Sequence, residues 1–282
     1  MRKLLGCFIL ANLAQGLPAM AQPAPGDGIG EFVDSHSSVT RLNKIARWED
    51  AVCPNVTGLP ANFAKFITKR VRDVATAAGA PVDASETCKA NVDIVFTTKP
   101  QALLDTIRAK DPVMLGYYDS SEQADRLAKV NYVIQAWHAT QTVDLRGNTV
   151  IDSRNATNSG SAMGSRAQNS TGSRLGDGLH STYYRAVVVA NPDRLGDYEI
   201  GTLADHVAFV ALAQPAAPDA CAALPSILDM TKADCRKDQP VKGLTAADTA
   251  YLRGLYQADA GASLHAQKEG IAFRIKDALA GK

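Results

Sequence analysis

The chain has 282 residues, 46% of them hydrophobic and 21% charged, the composition of an ordinary globular protein and the length of one large domain or two small ones. Its 30 Lys and Arg face 29 Asp and Glu, so there is no net basic field to hold nucleic acid or anionic lipid. Five cysteines in this length exclude a disulfide-dense miniprotein.

Residues 1–21 have the form of a secretory signal. Arg2 and Lys3 give a charged start, Leu4 to Leu13 a short apolar stretch, and Ala19-Met20-Ala21 a small-x-small cleavage site. Asn12, Gln15 and Pro18 interrupt the run before the roughly 20 apolar residues that a membrane span needs. Leu4-Leu5-Gly6-Cys7 has the shape of a lipid-attachment box, but Cys7 lies too near the start to leave a hydrophobic region ahead of it. Cleavage after Ala21 removes Arg2 and Lys3, taking 30 basic side chains to 28 against 29 acidic ones. No later run is long and apolar enough to span a bilayer, so a periplasmic or secreted protein without membrane insertion is expected.

Four cysteines then remain: Cys53, Cys88, Cys221 and Cys235. Three pairings are possible. Cys53–Cys88 and Cys221–Cys235 are favoured because each closes one local segment, and loop-closure entropy makes each worth about 3–4 kcal/mol.

Pro23, Pro25, Gly26, Gly28 and Gly30 with few large apolar groups read as a mobile leader, and residues 22–44 are set apart from a domain spanning 45–282. Arg47 to Val52 is the first strand candidate. A helix follows from Pro60, with Phe63, Phe66, Ile67, Val71 and Val74 on one face, ended by Gly79 and Pro81. Its other face carries Lys65, Lys69 and Arg72, a solvated stripe.

Val92 to Thr97 is a β-branched strand, and Pro100 to Arg108 a second helix. In Val133 to Val143, Ile134, Ala136, His138 and Thr140 alternate with Val133, Gln135 and Trp137, as in a strand with two distinct faces. Residues 152–178, rich in Ser, Asn, Gly and Thr, read as a long exposed loop. The continuous apolar run Tyr183 to Ala190 suits an inner strand. Leu203 to Ala213, apolar nearly all round, is a buried helix stopped by Pro215. Thr245 with Asp248 forms a capping box for a helix through Tyr251, Leu252, Leu255 and Tyr256, and a last amphipathic helix carries Leu264, Ile271, Ile275 and Leu279. No repeat or linker divides the chain.

Three segments occur in a telling order. Ala204-Asp205-His206-Val207-Ala208-Phe209-Val210 is followed by Leu224-Pro225-Ser226-Ile227-Leu228, and then Leu244-Thr245-Ala246-Ala247-Asp248 leads to Leu252-Arg253-Gly254-Leu255-Tyr256. Together with the strand Val92 to Phe96, they resemble the closing section of a metzincin metalloprotease. That pattern is H-E-x-x-H-x-x-G-x-x-H, a Ser-Ile-Met turn, then L-T-x-x-D…L-x-x-L-Y. The resemblance covers roughly residues 90–256 and implies one α+β domain: a mixed twisted sheet packed on long helices, with a helical C-terminal subdomain clasped by Cys221–Cys235.

The chemistry of that family is not carried over. A catalytic zinc needs three protein ligands and a nearby Glu to take a proton from its water. His206 matches the first ligand, but Val207 stands at the base position and Val210 at the second ligand. Gln214-Pro215 occupies the turn toward a third, and no His follows before His265. The turn reads Ser226-Ile227-Leu228, with Met230 nearby. His206 is therefore either a vestigial metal ligand recruiting His138 or His180 with Asp205, or a buried His bonded to a backbone carbonyl or a neighbouring side chain. His36 falls in the leader and His265 on the terminal helix, away from any such group.

No G-x-S-x-G elbow, phosphate loop or dinucleotide fingerprint is present. Gly172-Ser173-Arg174-Leu175-Gly176 with Gly178 is glycine-rich but follows a loop rather than a strand. The expectation is a non-catalytic, pseudoprotease-like protein without cofactor, binding a peptide or envelope protein in its cleft by strand addition. The alternatives are a divergent metal-dependent hydrolase using His206 with ligands outside the usual motif, zinc among the candidate metals, and a purely structural envelope protein.

Overall fold

The computed structural model describes residues 28–153, 178–232, 234–235 and 239–281. Five strands form one mixed, open sheet: β1 (Pro54–Thr57), β2 (Val92–Phe96), β3 (Ile134–Val143), β4 (Thr149–Ile151) and β5 (His180–Ala190), in the order β1-β2-β5-β3-β4. β1, β2 and β5 run parallel, β3 is antiparallel to β5, and β4 turns back antiparallel on β3. Seven α-helices accompany the sheet among the described residues: α1 (Ile29–His36), α2 (Ala61–Ala78), α3 (Pro100–Lys110), α4 (Ser121–Leu127), α5 (Ile200–Leu212), α6 (Ala246–Gln257) and α7 (Leu264–Leu279). The class is α+β.

The apolar run of β5 is explained by its place. Ala186, Val188 and Ala190 join the main core with α2, α5, α6 and α7, while Val187 and Val189 pack on the opposite face with Leu104, Leu115 and Trp137. An inner strand covered on both faces has no polar side to show. β3 divides in the same way: Ile134 belongs to the main core and Trp137 to the smaller one, as the alternation predicts.

Several sequence expectations are corrected. The supposed leader holds α1, whose Ile29, Phe32, Val33 and His36 are buried. Their i, i+3, i+4, i+7 spacing is an amphipathic helix that the surrounding Gly and Pro conceal. Arg47 to Val52 makes only two isolated bridges, Arg47 with Thr182 and Val52 with Val82, and the first strand begins at Pro54. In α2, Ile67, Val71 and Val74 are buried, but Phe63 and Phe66 are 41% and 45% exposed, because the core ends before the first two turns of the helix. Leu279, near the end of α7, is likewise exposed while Ile271 and Ile275 are buried. Of the expected 152–178 loop, residues 154–177 lie outside those described.

Two disulfides form, Cys53–Cys88 and Cys221–Cys235, and they suit an oxidising, extracytoplasmic compartment. The first ties the residue before β1 to the loop ahead of β2, and the second ties the two flanks of a 3-10 turn at Ile227–Asp229. No helix among the described residues is long and apolar enough to cross a membrane.

Candidate functional site

α5 is the axis of the site. It is buried nearly all round, and side chains meet its C-terminal backbone: Trp48 Nε1 donates to the Ala211 carbonyl at 2.9 Å and the Tyr256 hydroxyl to that of Leu212 at 2.9 Å. The Gln214 N–H, just past the helix, donates to the Tyr183 hydroxyl at 3.1 Å. Orphan carbonyls at a buried helix end need such partners, and here they fix the helix against β5 and α6.

His206 is 4% exposed, and its Nδ1 lies 3.1 Å from the Ile227 carbonyl. A carbonyl only accepts, so Nδ1 carries the proton and Nε2 is left with a lone pair. Burial holds the imidazole neutral, lowering its pKa to about 4, and the charge of Lys232 adds to this.

Ile227 belongs to the Ser226-Ile227-Leu228 turn, and Asp248 holds that turn. Ser226 Oγ donates to Asp248 Oδ1 at 2.7 Å, and the backbone N–H groups of Ile227 and Thr245 donate to Oδ2 at 2.7 and 3.0 Å. The Thr245–Asp248 capping box is present in full. The three C-terminal segments that suggested a family thus meet at one turn. A fourth residue joins them unannounced: His36 of α1, with Nε2 3.0 Å from Ser226 Oγ and Nδ1 2.8 Å from the Phe32 carbonyl. Burial lowers the His36 pKa to about 3 and raises that of Asp248. Asp, Ser and His occur together here, but Ser226 sits between the acid and the base and is fully buried, so no nucleophile is presented.

The residues proposed to join His206 go elsewhere. Asp205 pairs with Arg70 of α2 and accepts the Leu244 N–H at 3.0 Å. His180 meets Glu49 at 3.0 Å. His138 is buried with its ring 4.5 Å from that of Tyr183. It approaches the Val210 and Ala211 carbonyls, yet neither ring nitrogen reaches hydrogen-bond geometry, and burial lowers its pKa to about 4. His265 lies exposed beside Glu269. Among the described residues no three His, Cys, Asp or Glu side chains converge as a metal would require, so zinc is offered one nitrogen where a catalytic site takes three.

A cavity of about 130 Å³ opens beside His206, with Ile134, Gln135 and Ala136 of β3 on one side and Val210 and Leu228 on the other. The hydrogen-bond parity of β3 decides what this cavity offers. Asn191 N–H donates to the Val133 carbonyl, and Ile134 and Ala136 pair with Ala190 and Val188 in an antiparallel register. Alternate residues of an antiparallel strand turn both backbone groups the other way. The N–H and C=O of Ile134 and Ala136 therefore point away from β5. β4 covers only Gln141 to Val143. Gly116 closes the edge at His138, whose carbonyl oxygen would lie 2.8 Å from a Cβ added there. Between these limits the edge of β3 is open, and it is open into the His206 cavity.

Larger cavities lie elsewhere, about 470 Å³ between α6 and α7 and about 450 Å³ at the start of α5. Both are more open, and neither combines a strand edge with a buried histidine. Comparison with protein-family models, curated proteins and solved structures finds no match to this chain.

Proposed function

We propose that this chain is a periplasmic or secreted, metzincin-like protein that does no peptide hydrolysis and instead binds an extended segment of a peptide or envelope protein. The observation that carries the reading is the open edge of β3 at Ile134 to Ala136, facing the same cavity as His206. An added strand satisfies such an edge with main-chain hydrogen bonds and needs no metal. The non-catalytic part rests on α5 itself. Val207, where a general base would stand, is buried in the core, and Val210, where a second ligand would stand, lines the cavity as hydrocarbon. The meeting of Ser226, Ile227 and Asp248 beneath His206 supports the family resemblance.

The test is a single substitution on the edge. Ala136→Pro removes an N–H that points away from β5 and leaves the β5 ladder intact, at an edge position where proline is tolerated. Peptides selected from an immobilised random library on the wild-type protein should lose at least about tenfold in affinity on Ala136→Pro, with far-UV circular dichroism unchanged. Equal binding by both proteins, or no retained peptide at all, would overturn the proposal.

A further inference from the structure

We propose that His206 is the specificity-determining residue of this cleft, an acceptor-only imidazole that selects a peptide side chain bearing a hydroxyl, threonine or serine, over its apolar counterpart. The inference rests on the strand-addition reading above and adds to it the chemistry of the bound residue.

Three observations lead there. First, the imidazole has one nitrogen committed and one not: Nδ1–H is spent on the Ile227 carbonyl, while Nε2 has no hydrogen-bond partner among the described residues. Nε2 is not among the fully buried unpartnered atoms and so keeps contact with the cavity, and a ligand that closes the cavity over it must supply a donor or leave it unsatisfied. Second, the Gln135 side chain is occupied on the far face of β3 from Ile134 and Ala136. The Gln135 amide accepts from the Asn131 and Tyr132 N–H groups and donates to the Lys129 carbonyl. The Tyr132 hydroxyl is taken by Asp219, and the remaining polar lining is Gln214 and Thr231. Third, the walls are hydrocarbon, from Val210, Leu228, Pro215 and Pro218, and the Lys232 charge is felt at His206.

Three alternative ligands meet an obstacle. A cation is repelled by Lys232, a carboxylate brings acceptors to a lone pair, and a purely apolar side chain leaves Nε2 unsatisfied. The volume agrees: about 130 Å³ is well below the roughly 300–1,000 Å³ of sites for free small molecules and suits one side chain. The direction agrees too. A strand laid along Ile134 to Ala136 sends alternate residues toward the α5 side of the sheet, where Ile134 itself is buried.

The experiment uses the full chain after signal removal and a positional-scanning hexapeptide library, read by fluorescence polarisation. Threonine and valine have the same shape, so their comparison isolates the hydroxyl. At one position the threonine and serine pools should bind about tenfold tighter than the valine and alanine pools. His206→Leu should erase that preference while peptides still bind, and His206→Gln, which keeps an acceptor, should retain part of it. In the wild type, the ¹⁵N resonance of His206 Nε2 should shift on addition of the selected threonine peptide and not its valine analogue, a readout independent of whether the variants fold. Peptides that bind without any threonine preference would overturn this inference and leave strand addition standing. A library from which nothing binds would remove both.

Discussion

Two histidines from different helices meet the Ser226-Ile227-Leu228 turn, and they differ in what becomes of the second nitrogen. His36 has a protein atom against each, the Phe32 carbonyl and Ser226 Oγ, whose one proton serves either Nε2 or Asp248. His206 spends one, on the Ile227 carbonyl, and keeps the other beside a cavity. Both are buried, both are held neutral by desolvation, and both hang on the same Asp248-anchored turn. Burial and a lowered pKa therefore do not distinguish a structural histidine from a recognition residue in this fold. An uncommitted lone pair that lines a cavity does: His138, with neither nitrogen partnered, is not part of the cavity lining that includes His206.

The largest effect expected from this pair is on acid stability, where the two act alike. A histidine held neutral in the folded state, with a pKa of about 3 for His36 and about 4 for His138 and His206, binds a proton more readily once unfolded. Stability therefore rises with pH across the interval from the folded value to 6.5, and it is lost as pH falls below about 6.5. Between pH 7 and pH 5 each group costs up to about 2 kcal/mol. Asp248, whose carboxyl burial raises, works in the opposite sense and trims the total. Urea unfolding at the two pH values should show a loss of several kcal/mol, and an equal midpoint at both would mean that these rings are not buried as neutral species.

Asp248→Asn should come next. It leaves one carbonyl oxygen where two carboxylate oxygens accept three donors, so at least one of Ser226 Oγ, Ile227 N–H and Thr245 N–H is abandoned in the core. A loss of about 3 kcal/mol is expected from chemical denaturation. Removing Cys221–Cys235 by paired alanine substitution should cost a similar amount, about 3 kcal/mol, since it frees the loop that carries the same turn. If either change left stability untouched, the turn would not be the common anchor that both histidines require.

How much of this was legible in the sequence depends on whether a residue's neighbours are local. α2 with its Gly79 end, the two faces of β3, the doubly covered β5 and the Thr245–Asp248 cap all follow from spacing within one element. The cysteine pairs followed from the shortness of their loops. What the sequence hid lies between elements. α1 was masked by flanking Gly and Pro, although Phe32 and Val33 reach the main core. β4, at three residues, is too short to show a period. The exposure of Phe63 and Phe66 depends on where the core stops, which no helical stripe encodes. At the site, His206 was readable from its place on a buried helix, but the open edge of β3 was not. That edge exists because β4 pairs with only part of a longer strand, a property of register rather than composition. His36 was the plainest omission: its partner Ser226 is 190 residues away.

The smallest stability effect should be the most discriminating. His36→Leu leaves Ser226 Oγ and the Phe32 carbonyl each without one partner and removes a ring stacked 3.8 Å from Phe32, so it should destabilise by about 2–3 kcal/mol. His206→Leu abandons only the Ile227 carbonyl, and the added apolar side chain faces Val210 and Leu228, so about 1 kcal/mol is expected. In peptide selectivity the order reverses, with His206→Leu abolishing the hydroxyl preference and His36→Leu leaving it in place. Equal stability losses, or a selectivity change from both, would mean that the two nitrogens do the same work. The crossing of the two orders is what an uncommitted lone pair implies, because the group that contributes least to holding the fold together is the one free to meet a partner.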